Sequence, residues 1–126
     1  MKKILFCLIA VGVIFVGCSK LIKIKTYDCE ISKPVTIEKV KSAILAGCEE
    51  RGWTTTQKNN NTISAKLLHS GKHEVYVDII YDNTNYKIEY VNSANLKATG
   101  TKIHKAYSKW IHFLQKSINA ELFKIN

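Results

Sequence analysis

Polar and apolar positions alternate along much of this chain, and where the alternation stops the apolar period lengthens to that of a helix. Between Ile24 and Ile31, the residues Tyr27, Cys29 and Ile31 share one face, as in a half-buried strand, and Pro34 stops the run. Ile37, Val40, Ile44 and Cys48 then recur at helical spacing; Thr36 is placed to cap the start, Glu38 sits in the first turn and Arg51-Gly52 ends it. Four period-two runs follow, Trp53 to Gln57, Thr62 to Leu68, Glu74 to Asp82 and Tyr86 to Val91, separated by polar turn formers such as Asn59-Asn60-Asn61 and Ser70-Gly71-Lys72. Ile63, Ala65 and Leu67, then Val75, Val77, Ile79 and Tyr81, then Tyr86, Ile88 and Tyr90 line one face, while Ser64, Lys66, Glu74, Asp78, Lys87 and Glu89 line the other. One side of the sheet is therefore wet. A connection from Asn92 to Thr101 leads to a last helix expected from Lys102 to about Phe123, with Ile103, Tyr107, Trp110, Leu114 and Ile118 as its apolar stripe. The pattern predicts an α+β domain of order β-α-β-β-β-β-α, an antiparallel meander with both helices on its apolar face.

Ahead of that domain, Lys2 and Lys3 precede an apolar or small-residue run from Ile4 to Val16, the layout of a secretion signal. The run is shorter than the roughly 20 apolar residues that a spanning helix needs. Val16-Gly17-Cys18-Ser19 follows, small residues before a cysteine, and this resembles the lipobox of bacterial lipoproteins, although Phe15 stands where that family usually has Leu. The resemblance implies cleavage before Cys18, acylation of its thiol and then of its new amino group. Two or three acyl chains anchor a protein stably where one binds only marginally. The expected division is a signal at 1–17, a lipidated N-terminus and tether at 18–23, and one α+β domain at 24–126. Ser19 after the cysteine implies, in a Gram-negative envelope, the periplasmic side of the outer membrane rather than retention in the inner one.

Cleavage leaves 109 of the 126 residues, an ordinary single domain. Of 19 basic side chains 17 remain against 10 acidic ones, a net charge near +7. Only Arg51 is arginine, and the Lys, Asn and Ile content also fits an AT-rich genome, so basicity alone names no anionic partner. Export excludes contact with cellular nucleic acid, and the chain shows no nucleic-acid motif. Export also removes Cys7 and commits Cys18 to lipid, which leaves Cys29 and Cys48 in an oxidising compartment. They are read as a disulfide, closing a loop of about 20 residues worth about 3 kcal/mol, or as two buried thiols, while a reactive or metal-binding pair lacks a neighbouring His at ligand spacing.

The segment Tyr86-x-Ile88-x-Tyr90-x-x-Ser93-x-x-Leu96, followed by Ile103-His104-x-x-Tyr107-x-x-Trp110-x-x-x-Leu114-x-x-x-Ile118, resembles a signature of small, mostly uncharacterised bacterial envelope lipoproteins. Ser108 stands where that pattern commonly has Asn. The resemblance singles out Tyr90, Ser93, His104, Tyr107 and Trp110 as a constellation but implies no activity. The element order is similar to the TBP-like, or helix-grip, arrangement, which carries no function by itself.

Three chemical readings arise from the residues. Ser93 and His104 invite a hydrolytic role, but there is no Gly-x-Ser-x-Gly elbow and no acid placed to orient the imidazole. His69 and His73 flank the Ser-Gly-Lys turn without a third ligand, so no metal and no cofactor beyond the lipid is expected. Lys102, Lys105, Lys109, His112 and Lys116, spaced as one helical stripe with no acidic residue from Tyr90 to Ala120, form a candidate surface for anionic lipid, another envelope protein or peptidoglycan. The expected function is a non-catalytic binding or scaffold module in the envelope, with a small-molecule or lipid carrier as the alternative and an enzyme third.

Overall fold

A computed structural model describes residues 20–125; the expected signal at 1–17 and the expected lipidation residue Cys18 lie outside them. The described elements are β1 (Leu21–Lys23), β2 (Tyr27–Glu30), α1 (Ile37–Glu50), β3 (Thr54–Asn59), β4 (Thr62–His69), β5 (His73–Tyr81), β6 (Asn85–Ala94), β7 (Lys102–His104) and α2 (Ala106–Ile125). β3 to β6 form the expected antiparallel meander, and β2 pairs with the far side of β6, giving the order β2-β6-β5-β4-β3. β1 and β7 form a separate two-stranded ribbon.

Helix α1 begins and ends where its sequence says. The Thr36 hydroxyl accepts from the Lys39 N–H at 3.3 Å, filling one of the donors left open in a first helical turn. At the other end Gly52 adopts φ +83°, its N–H reaches Glu49 O and the Trp53 N–H reaches Cys48 O at 2.9 Å. That pair of bonds is a Schellman cap, and glycine enters the left-handed region it demands without steric cost.

Helix α2 departs from expectation. Lys102–His104 are strand, not helix, because Ile103 is fully buried opposite Ile22 in the ribbon. Starting four residues later than expected, α2 buries Tyr107, Ile111, Leu114, Ser117, Ile118 and Leu122. Trp110, expected in that stripe, is only half-buried and lies at its margin. Leu21–Lys23, expected as tether, are strand β1. The first long strand is also shorter than read: Ile24 leaves the sheet and bonds to Thr101 O at 2.8 Å.

Both helices cover one sheet face. Ile44, Ile63, Ile79, Ile88, Ile111, Leu114 and Ile118 are fully shielded from solvent between the layers. Gly47 of α1 lies so close to α2 that an added Cβ would stand 2.6 Å from Ile118 Cγ1. No helix among the described residues is long and apolar enough to cross a membrane.

Candidate functional site

The signature residues gather at one end of the sheet, around the β4–β5 turn, the end of β6 and the start of α2. Register brings Tyr90 and Ser93 together. Tyr76 faces Asn92 while Val77 faces Tyr90, so Val91 is the extra residue of a β-bulge. Three-residue spacing would put Tyr90 and Ser93 on opposite faces of a regular strand. The bulge turns Ser93 back to the helix-covered face, where its Oγ lies 2.7 Å from the Tyr90 hydroxyl. The displaced Val91 is left about half exposed on the outer face.

Tyr90 meets Tyr107 edge-on at 5.6 Å, and Tyr107 meets Tyr27 of β2 at 6.3 Å. Such edge-to-face geometry is the favourable one for aromatic rings. Tyr107 is fully buried, and among the described residues its hydroxyl has no hydrogen-bond partner. Burial pushes its pKa well above the ordinary tyrosine value, so it stays protonated. Tyr86 contrasts with it: equally buried, it donates to Asn119 Oδ1 at 2.8 Å. Removing the two hydroxyls should have opposite signs, because a desolvated hydroxyl without a partner destabilises, whereas a bonded one contributes. Tyr107→Phe is expected to raise the urea midpoint, a gain of about 1 kcal/mol, and Tyr86→Phe to lower it by a similar amount. A fall in both would assign the Tyr107 hydroxyl a partner.

Trp110 leaves this core and stacks on the hairpin turn instead, 4.7 Å from the ring of His69 and 6.3 Å from that of His73. The two histidines face each other across the β4–β5 pair with ring centroids 6.3 Å apart. His73 Nδ1 donates to Asn95 O at 2.9 Å, and Asn95 Nδ2 returns a bond to Lys72 O at 2.7 Å. The pair thus ties the turn to the loop after β6. No group of three metal-binding side chains occurs among the described residues.

His104 is committed elsewhere. Its Nδ1 accepts from the Ala106 N–H at 3.1 Å, satisfying an open donor at the start of α2 and placing the ring proton of the neutral form on Nε2. No hydrogen bond joins His104 to Ser93 among the described residues, so these two do not form a nucleophile–base pair in this arrangement. The five signature residues form two local bonded units, Tyr90–Ser93 and His104–Ala106, plus two ring clusters centred on Tyr107 and Trp110. They do not converge on a cleft.

No protein-family model, curated protein or solved structure matches the chain. Its site is therefore read from its own geometry alone.

Cys29 and Cys48 are free thiols. Cys48 is fully buried on α1, and desolvation pushes its thiol up to about 12. Cys29 is half-buried, with the side-chain amides of Gln115 and Asn119 at 3.6 and 3.8 Å from its sulfur. Both lie near the Tyr86 hydroxyl, whose own acidity burial suppresses further.

The expected basic stripe is divided by the start of α2. Lys109, His112 and Lys116 remain on the helix and are exposed. Lys102 belongs to β7 and Lys105 to the turn after it, where its N–H donates to Lys20 O at 2.8 Å. On the outer sheet face, Lys58 pairs with Asp78 at 2.8 Å and Ser64 donates to the same carboxylate at 3.1 Å. Lys66 sits over the Tyr76 ring at 5.6 Å. Around them, a shallow hollow of about 320 Å³ is lined by Thr54, Thr56, Lys66, Tyr76 and the bulged Val91, among others.

Proposed function

We propose that this chain is a lipid-anchored lipoprotein of the cell envelope, held through Cys18 with its domain facing the periplasm, and that it works by binding rather than by catalysis. One observation carries the anchor: a short basic start and 13 apolar or small residues, Ile4 to Val16, run directly into Val16-Gly17-Cys18-Ser19. In a Gram-negative envelope, Ser19 favours the outer membrane.

The binding role is supported by how the reactive side chains are spent. Ser93 holds Tyr90, His104 holds the start of α2 and His73 holds the loop at Asn95. A carrier needs space between its layers, whereas fully buried aliphatic side chains such as Ile44, Ile79 and Leu114 and the Gly47–Ile118 approach fill this interior. That packing favours a scaffold or assembly module whose working surfaces are external. The outer sheet face offers one: Val91 and Leu68 stand half exposed beside Tyr76 and the Lys66 ammonium, an apolar and aromatic patch with a charged border, suited to another envelope protein.

Growth with a palmitate analogue tests the anchor. The wild-type chain is expected to take up label and to stay with the membrane fraction, and Cys18→Ala to do neither. An unlabelled wild-type chain overturns the reading.

A further inference from the structure

Five lysines that are scattered in sequence are carried by the β1–β7 ribbon, the residues just past its end and the loop along its edge. Lys23 and Lys102 are directly opposite in the ladder, on the face away from buried Ile103. Lys20 and Lys105 are joined by a backbone bond at 2.8 Å just past the other end of the ribbon. The loop before β7 closes its second edge, with the His104 N–H on Leu96 O and the Thr99 N–H on Lys102 O. Lys97 stands on that loop in a left-handed conformation, φ +55°. All five are exposed. None of them is ion-paired among the described residues, where the salt bridges employ Lys58, Lys87 and Lys124. The sequence has no acid from Ser19 to Tyr27 or from Tyr90 to Ala120. Like charges directly opposite in a ladder destabilise it, so the Lys23–Lys102 pair gains nothing for the fold. It does concentrate positive potential on one small surface.

The location of that surface names its counter-charge. Cys18 precedes Lys20 by two residues, at most about 7 Å of extended chain. Half of the expected six-residue tether, Leu21–Lys23, is in fact strand, so the ribbon begins within three residues of the expected anchor. At physiological ionic strength charges act over about 8 Å. Whatever bilayer holds Cys18 therefore lies within electrostatic range of the ribbon.

We propose that the ribbon lysines Lys20, Lys23, Lys97, Lys102 and Lys105 bind the anionic headgroups of the membrane that carries the anchor, seating the domain on its β1–β7 end. The geometry of this proposal rests on the Cys18 reading, but its chemistry can be tested without the lipid. Seating in this way turns the start of α2 and the β4–β5 hairpin away from bulk periplasm and leaves the outer sheet face open for a partner.

Since every buried core residue lies between Tyr27 and Leu122, the unlipidated chain from residue 19 onward retains the whole folding unit. Its partition onto phosphatidylcholine vesicles with and without phosphatidylglycerol is measured by sedimentation. Binding is expected to need phosphatidylglycerol, to weaken with added salt, and to fall about fivefold for each ribbon lysine changed to Gln. Lys33→Gln, Lys39→Gln and Lys41→Gln together, the same charge change as Lys23→Gln, Lys102→Gln and Lys105→Gln together but placed on the segment before α1 and on α1 itself, should leave most of it. Circular dichroism confirms that the variants are folded. Equal losses in the ribbon and control variants reduce the effect to net charge and overturn the proposal. A folded wild-type domain that ignores anionic vesicles also overturns it and assigns the lysines to a macromolecular partner. If palmitate labelling succeeds and vesicle binding fails, the anchor stands and the ribbon proposal falls; the reverse result separates them the other way.

Discussion

Between pH 9 and about pH 12 the domain is expected to lose about 4 kcal/mol of stability through Cys48 alone. The thiol is fully buried on α1, and desolvation raises it from 9.0 to about 12 in the folded state. The native state therefore holds this proton through a range in which the unfolded chain releases it. Stability is complete below the unfolded value and drains away as pH climbs towards the folded one, at about 1.4 kcal/mol per pH unit. Tyr86 and Tyr107, both raised from 10.0 mainly by burial, act in the same direction above that value. Small domains are stable by about 5 to 15 kcal/mol, so these groups together bring this one near its unfolding midpoint in strong alkali. Urea titrations across the window should show the stability falling progressively, more steeply once the tyrosines join. Cys48→Ala should start from a lower stability, having lost buried volume, but should show a shallower fall below pH 10. A stability that stays level from pH 9 to pH 11 would mean the thiol is solvated in the folded state.

How far the fold was legible depended on whether an element carries its own signals. Helix α1 did: Thr36 at one end, Gly52 at the other and four apolar positions between them are local and sufficient. The meander did too, because turn formers separate long period-two runs. The β1–β7 ribbon did not. Its strands are three residues each, too short for any period, and they exist only because residues about 80 apart in sequence pair across a loop. Ile103 fits a helical stripe and a buried strand equally well, and nothing local decides between them. That single ambiguity moved the start of α2, split the basic stripe and misplaced Trp110.

The candidate site was legible in its parts but not in its arrangement. Tyr90 and Ser93 do touch, and the odd spacing between them was a visible cue for the bulge, since two residues of one face on a regular strand must be an even number apart. His104 was expected near a helix start and is found capping one, though for a helix that begins later. The lysine surface is expected along one helix, whereas the pairing of β1 with β7 sets Lys23 opposite Lys102. Periodicity can find a stripe on one element but not a patch shared between two that meet only in the folded chain.

Gly47→Ala is expected to destabilise the domain by about 2 kcal/mol and lower its melting temperature by about 10 °C, even though alanine is the better helix former. Two effects compete. Propensity favours alanine in a helix interior by about 1 kcal/mol. Against it, the new methyl would stand 2.6 Å from Ile118 Cγ1, 2.8 Å from Ile118 N and 2.9 Å from Ile118 Cα. Carbon atoms rest about 3.5 to 4.0 Å apart, so α1 and α2 must separate by roughly 1 Å along a closely packed seam. Overpacking of this kind costs about 1 to 3 kcal/mol, at times more, and two of the three contacts are backbone, which no rotamer change relieves. The double variant Gly47→Ala with Ile118→Ala tests that point: trimming Ile118 removes Cγ1 but leaves N and Cα, so stability should fall further rather than recover. Gly100→Ala is the matched control. A Cβ there meets nothing within 4 Å and its φ is not left-handed, so the same substitution should be neutral or add about 0.5 kcal/mol by restricting the unfolded chain. Opposite signs at the two glycines would locate the close approach of the helices at Gly47; a Gly47→Ala chain that melts higher than wild type would show that the seam yields more readily than its geometry implies.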